Sequence, residues 1–270
     1  MGWSRPQRGQ LLPRNSGVIR GNHWAQRLCE VLPQDGTASW MEQHSHLLKY
    51  DAHSRVGLLD IAGRSCFLKL YLAKSASQRL GFRLGYGRGI RSFDAAGELA
   101  RAGLAVPTPL TCLRVSEGMV LLTEAIAGGS DLRRLWPAQT SAEHRSLLMT
   151  GAGAILASLH RAGFAHGDYK WSNLLWDGGK FHLVDLEGVR KVAYVAGMRP
   201  PAPHLRDLAR FTVDAEELDV NQHCYDSFVA GYCAATGNPR DALSGAVGSA
   251  AAPIRQRHLK KYGKAYRPLC

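Results

Sequence analysis

Apolar and polar residues alternate along His46–Asp51, Val56–Ile61 and Ser65–Leu72, and a period of two predicts three short strands. Ala62-Gly63-Arg64 supplies a tight turn between the second and third. A glycine-rich run, Gly81–Gly89, follows and reads as a flexible connection. Ser92–Gly103 then shows helical spacing and stops at a glycine. Beyond Pro107 and Pro109 the alternation returns in Leu110–Val115 and Met119–Glu124, joined by Ser116-Glu117-Gly118. Five strands with one inserted helix predict an α+β unit.

Later the period lengthens. Ser141 is placed to cap a helix reaching about Arg161, with Glu143 in its first turn. A polar loop, 164–173, separates that helix from two short strands, Asn173–Trp176 and Phe181–Asp185, turned at Asp177-Gly178-Gly179. Helical patterns resume at 204–216, 222–236, 239–248 and 254–262. Residues 1–40 carry Pro, Gly and Asn breaks and are expected to form a basic N-terminal extension. The division predicted is therefore 1–40, a β-rich 41–126 and a mainly helical 127–270.

Charge narrows the partners. Lys and Arg number 34 against 22 Asp and Glu, a formal net charge of +12. Such a surface favours anionic partners, including an anionic membrane surface. Arg5, Arg8, Arg14, Arg20 and Arg27 all precede the first acid, Glu30, and Arg255–Lys261 adds a second cationic stretch. The charge is spread out and no aromatic-basic recognition motif accompanies it, so nucleic acid is not the expected partner. No apolar run approaches the roughly 20 residues that span a bilayer. Pro6, Pro13 and Asn15 break up the N-terminus, and no secretory signal is expected. Six cysteines without a C-x-x-C pair fit free thiols in a reducing compartment. His44-x-His46 lacks neighbours to complete a metal shell.

The chemistry concentrates in His166-Gly167-Asp168-Tyr169-Lys170-Trp171-Ser172-Asn173, followed by Val184-Asp185-Leu186-Glu187. Phosphoryl transfer needs a carboxylate to receive the acceptor's proton, oxygen ligands for Mg²⁺, and a cation facing the moving charge. Asp168 stands five residues before Asn173 with Lys170 between them, and a short hairpin returns Asp185 to the same place.

H-G-D-x-K-x-x-N followed by D-L-E resembles the protein-kinase catalytic loop and its metal-binding aspartate segment. The resemblance implies a two-lobed, protein-kinase-like fold. Asp168 becomes the base, Lys170 the γ-phosphate contact, and Asn173 and Asp185 the Mg²⁺ ligands. Gly167 stands where loop-regulated protein kinases carry arginine, as in many small-molecule kinases. Lys69, in the apolar strand Phe67–Tyr71, is the expected nucleotide lysine, because a charge there needs anionic partners. Its partner is Asp94 or Glu98, four apart on one helical face, with Glu98 preferred. Glu124, in Leu122-Thr123-Glu124, takes the hinge position beside the nucleotide. A G-x-x-x-x-G-K-[ST] loop is absent from the sequence, which excludes a P-loop enzyme by motif.

More narrowly, the chain resembles bacterial lipopolysaccharide core kinases, the Kdo and heptose kinase family, from about Leu47 to Tyr262. Ser54-Arg55-Val56, Val106-Pro107-Thr108-Pro109, Leu159–Phe164, Val184–Arg190 and Arg206–Phe211 carry the likeness. It implies ATP as donor, a sugar hydroxyl of the lipopolysaccharide inner core as acceptor, and work at the cytoplasmic face of the inner membrane. Asp207 would anchor the catalytic loop. A kinase for another small molecule and a catalytically inactive binding protein of the same fold remain the alternatives.

Overall fold

The alternation in the first half of the chain is realised as one antiparallel sheet. A computed structural model describes residues 17–270, which divide into two units: one ending at Phe93 and resuming over Thr108–Ala125, the other formed by Asp94–Pro107 and Ile126–Cys270. The first unit contains β1 (Gly17–Arg20), α1 (Asn22–Val31), α2 (Thr37–His44), β2 (His46–Tyr50), β3 (Ser54–Ile61), β4 (Arg64–Leu72) and α3 (Ala76–Arg83). Helix α4 (Arg88–Arg101) begins in it, and β5 (Pro109–Val115) and β6 (Gly118–Glu124) complete it. The strand order is β1-β5-β6-β4-β3-β2. In β4, Cys66, Leu68 and Leu70 face a core shared with Leu113 and Leu122 and with Ala25, Leu28 and Met41 of the helices. Tyr71 faces the other side, with Ile90, Cys112 and Met119. The period of two therefore builds two apolar faces from one strand.

Residues 17–40 correct the expectation of an extension. Val18 pairs with Leu113 across the β1–β5 ladder, and Ala25, Leu28 and Leu32 are buried. The glycines read as breaks do the opposite of ending structure. Gly21 and Gly36 stand at the N-caps of α1 and α2 in left-handed conformations that suit glycine. Residues 1–16, with Arg5, Arg8 and Arg14, lie outside the described residues.

The second unit takes the rest of α4, then β7 (Ser130–Asp131), α5 (Leu132–Leu135), α6 (Ala142–Arg161), β8 (Phe164–Ala165), β9 (Leu174–Trp176), β10 (Phe181–Leu183), β11 (Arg190–Lys191), α7 (Ala202–Glu217), α8 (Gln222–Thr236) and α9 (Arg240–Tyr262). Ser141 caps α6 as its sequence predicts, accepting the His144 N–H. Helix α9 is continuous where the sequence predicts two, and it runs through Pro253. Leu243, Val247, Ala251 and Ile254 keep one buried stripe running through the proline. Helices α6 and α8 meet at Gly153 and Gly231. A Cβ on Gly153 would land on the Phe228 carbonyl, and one on Gly231 on that of Thr150. Leu148, Met149, Leu156, Phe211, Phe228 and Tyr232 fill the core around this contact.

Candidate active site

The loop between β8 and β9 turns at His166-Gly167-Asp168. Gly167 has φ +81°, and a Cβ there would approach the Gly188 carbonyl oxygen to 2.6 Å. The segment returning past Asp185 thus demands glycine at this position. Fully buried His166 receives the Asp168 N–H at Nδ1 (3.4 Å), and its Nε2 is 3.1 Å from the Val184 carbonyl. Burial holds its pKa below the ordinary imidazole value, favouring the neutral ring with its proton on Nε2.

Helix α7 holds this loop from below. Asp207, fully buried, accepts the N–H groups of His166 (2.6 Å) and Gly167 (2.8 Å). His160 Nε2 lies 3.4 Å from the same carboxylate, and the Tyr232 hydroxyl is 2.9 Å from His160 Nδ1. Two turns along α7, Asp214 accepts the Trp171 N–H at 2.9 Å, while Trp171 Nε1–H donates to the Phe211 carbonyl at 3.1 Å. Burial pushes the Asp214 carboxyl up, partly countered by that N–H. The Tyr169 hydroxyl donates to the Ala152 carbonyl of α6 at 2.7 Å. Backbone and side chains are tied on both sides of Asp168, so the loop's shape is over-determined.

Asp168 itself lies between cations. Arg210 Nη1 donates to Oδ1 at 2.5 Å, and Lys170 Nζ lies 2.8 Å from Oδ2. Asn173 Nδ2 donates to the Asp168 carbonyl at 2.9 Å and to Oδ2 at 3.3 Å, leaving its own amide oxygen turned the other way. The β9–β10 pairing sets Leu183 opposite Leu174, and the Val184 N–H donates to the Asn173 carbonyl at 3.1 Å. Asp185, the next residue, is held at φ 60°, a left-handed conformation unusual outside glycine. Asp168, Lys170, Asn173 and Asp185 are thus carried by one loop and the hairpin beside it. Arg210 was not singled out from the sequence. It stands three residues beyond Asp207, on the face of α7 that already holds the loop, and that spacing is the signal that identifies it.

Lys69, Glu124 and Glu98 have their own settings. Lys69 sits on β4, an internal strand, opposite Val56 and Leu121, with its ammonium 4.8 Å from the Tyr71 ring centre. The Glu124 carboxylate pairs with Arg64. Glu98, in the part of α4 belonging to the second unit, pairs with exposed Lys191 at 3.2 Å. Asp94 is exposed on the same helix.

Among the described residues no group of three or more His, Cys, Asp and Glu is arranged to hold a metal. A magnesium ion that keeps water and phosphate ligands needs only one or two protein oxygens. The amide oxygen of Asn173 and the carboxylate of Asp185 suit that donor set.

A family model for the lipopolysaccharide kinase (Kdo/WaaP) family matches residues 43–232. The chain is 27% identical over 196 residues to a 3-deoxy-D-manno-octulosonic acid kinase of Xanthomonas campestris pv. campestris (strain B100), covering 68% of this chain and 71% of that protein. A protein of the same name from Xanthomonas axonopodis pv. citri (strain 306) is 31% identical over 112 residues, 39% of this chain and 43% of its own. A probable bifunctional tRNA threonylcarbamoyladenosine biosynthesis protein of Methanocorpusculum labreanum is 32% identical over 87 residues, only 15% of its length.

Proposed function

We propose, from the premise that the chain belongs to the lipopolysaccharide kinase (Kdo/WaaP) family, that it transfers the γ-phosphoryl group of ATP to a hydroxyl of the lipopolysaccharide inner core. The observation carrying this reading is the Asp168 carboxylate, positioned by Arg210 and Lys170 on a loop anchored to α7. A two-lobed, kinase-like arrangement is part of the proposal.

Asp168 orients the acceptor hydroxyl and receives its proton as the phosphoryl group moves. Arg210 keeps hold of Oδ1 throughout. Lys170 leaves Oδ2 to meet the γ-phosphate, and the acceptor hydroxyl takes the vacated oxygen. Lys69 binds the nucleotide phosphates, with Glu98 as its acidic partner, and Glu124 marks the nucleotide hinge. Asn173 and Asp185 hold Mg²⁺, which when bound neutralises charge on the phosphates. The similarity to proteins named 3-deoxy-D-manno-octulosonic acid kinase favours Kdo over heptose as the acceptor sugar. An acceptor carrying carboxylates and phosphates also suits a chain of net charge +12. Work at the cytoplasmic face of the inner membrane follows from such an acceptor. Attachment there is taken to be peripheral; none of the helices among the described residues is long and apolar enough to cross a membrane.

The test is transfer of labelled phosphate from ATP to Kdo-bearing and heptose-bearing core, with mass spectrometry locating the product. Wild type should modify one sugar in a Mg²⁺-dependent manner. Asp168→Asn should retain its fold and its nucleotide-induced thermal shift yet lose transfer by about 10²-fold or more. Undiminished transfer by that variant would reject Asp168 as the base, and no transfer to either sugar would reject the acceptor class.

A further inference from the structure

The stretch read from sequence as a flexible connection, Gly81–Gly89, holds the last turn of an outward-facing helix, α3, the turn that closes it and the start of α4. None of the residues of α3 is buried. An isolated eight-residue helix is marginal in water, yet both ends of this one are closed. Ser75 Oγ accepts the Gln78 N–H at 3.1 Å, and Gln78 Oε1 accepts the Lys74 N–H at 2.8 Å. At the other end Gly85, at φ +79°, donates its N–H to the Phe82 carbonyl at 3.3 Å, and Tyr86 donates to that of Gly81 at 2.8 Å. This is the paired-bond Schellman closure. It sets Tyr86 firmly after the helix.

Phe82 is the inward anchor, packed against the cluster of Tyr71, Ile90 and Met119. Leu80 and Leu84 lie two residues to either side, about 200° around the helix, and therefore point away from the protein. They are 55% and 64% exposed, and Tyr86 is 71% exposed. Nothing inside this unit requires those positions to be apolar. Exposed Arg79 and Arg83, four apart, flank the leucines, and exposed Lys74 precedes them. Between Asp60 and Asp94 the chain has no acid, while Arg64, Lys69, Lys74, Arg79, Arg83, Arg88 and Arg91 fall within that interval. Protruding leucines and a tyrosine beside cations have the make-up of an interfacial helix.

We propose that α3 and the Gly85–Tyr86 turn dock this protein on an anionic phospholipid surface, with Leu80, Leu84 and Tyr86 entering the headgroup layer and Arg79 and Arg83 pairing with lipid phosphates. The assignment rests on the proposed function only for its membrane-borne acceptor, and the test is read without nucleotide or acceptor. The full chain is sedimented with vesicles of phosphatidylcholine alone, or of phosphatidylcholine and phosphatidylglycerol in equal parts. Wild type binds the mixed vesicles and releases them as salt rises. With roughly fivefold affinity per cation near such a surface, Arg79→Gln/Arg83→Gln binds about 30-fold more weakly. Leu80→Ser/Leu84→Ser/Tyr86→Ser loses binding that salt alone does not remove. Both variants keep the wild-type melting temperature, because no changed side chain is buried. Both also transfer phosphate to a detergent-dispersed acceptor at the wild-type rate, which separates a failure of docking from a failure of the kinase reading. Three results would overturn the proposal: variants binding mixed vesicles within twofold of wild type, wild type binding neutral vesicles equally well, or wild type ignoring vesicles while self-associating through these residues.

Discussion

Replacing Asp207 by Asn exchanges one carboxylate oxygen for an amide nitrogen in a site with no solvent. The carboxylate accepts two backbone N–H groups, from His166 and Gly167, and lies 3.4 Å from His160 Nε2. An amide has a single acceptor oxygen. Whichever way it is turned, its NH₂ group faces at least one backbone N–H, so a charge-assisted bond becomes a contact between two donors. A hydrogen bond to a charged group contributes about 1.5–3 kcal/mol, and a buried donor left unmade costs about 1–3 kcal/mol. Relief from burying a charge offsets part of this. The loop should therefore lose about 3 kcal/mol of local stability, on the order of a hundredfold in its opening equilibrium. Hydrogen exchange read by mass spectrometry is the assay, because the affected amides belong to the loop itself. Exchange across 164–173 should accelerate on the order of a hundredfold, while exchange in the first unit's sheet stays unchanged. Transfer should fall with it, because the loop that carries Asp168 no longer has one shape. Unchanged exchange at His166 and Gly167 would refute the claim that Asp207 holds the loop.

Three further outcomes are expected. Arg210→Met should lower the turnover of phosphate transfer at least about tenfold, the low end for mispositioned acid–base groups, with Mg-nucleotide affinity within about twofold. Equal turnover would make the Arg210–Asp168 pair a resting contact only. Asp185→Asn should weaken nucleotide binding in Mg²⁺ but not in its absence, read by titration calorimetry, and an unchanged affinity would count against the metal assignment. His204, buried and stacked 3.8 Å from His160, has its pKa lowered from 6.5 to about 4, first by burial and then by its neighbour. Between those values the unfolded chain binds the proton and the folded one does not, so stability is full above pH 6.5 and lost as pH falls towards 4. His204→Phe should flatten that part of the stability–pH curve, by on the order of 3 kcal/mol. A slope identical to wild type would show that His204 does not titrate on unfolding.

Local patterns were legible where residues a few positions apart decide the structure. The strands at 46–72 and 109–124, the Ser141 cap and the hairpin after Asn173 all follow from period, cap and turn chemistry. Helix α1 was hidden because its buried positions Ala25 and Leu28, with Leu32 just after it, make a short stripe whose partners on β5 and β6 lie far along the chain. Helix α3 was hidden for a different reason, since only Phe82 packs inward and a single position makes no core-facing stripe. Continuous α9 shows packing prevailing over a proline's local preference. At the site, the loop motif identifies Asp168 and Asn173, but Arg210 lies 42 residues from Asp168. Only the shared face of α7, with Asp207, Arg210 and Asp214 at intervals of three and four, connects them.

The seam at Gly153 and Gly231 bears on how such a chain can change over generations. Every other amino acid is larger, so no series of conservative single replacements leads away from either glycine. A lineage giving one up must shift a helix, and α6 also carries Ala152, whose carbonyl receives the Tyr169 hydroxyl. Natural variation among descendants should therefore leave this crossing untouched and accumulate on α3 and other outward faces.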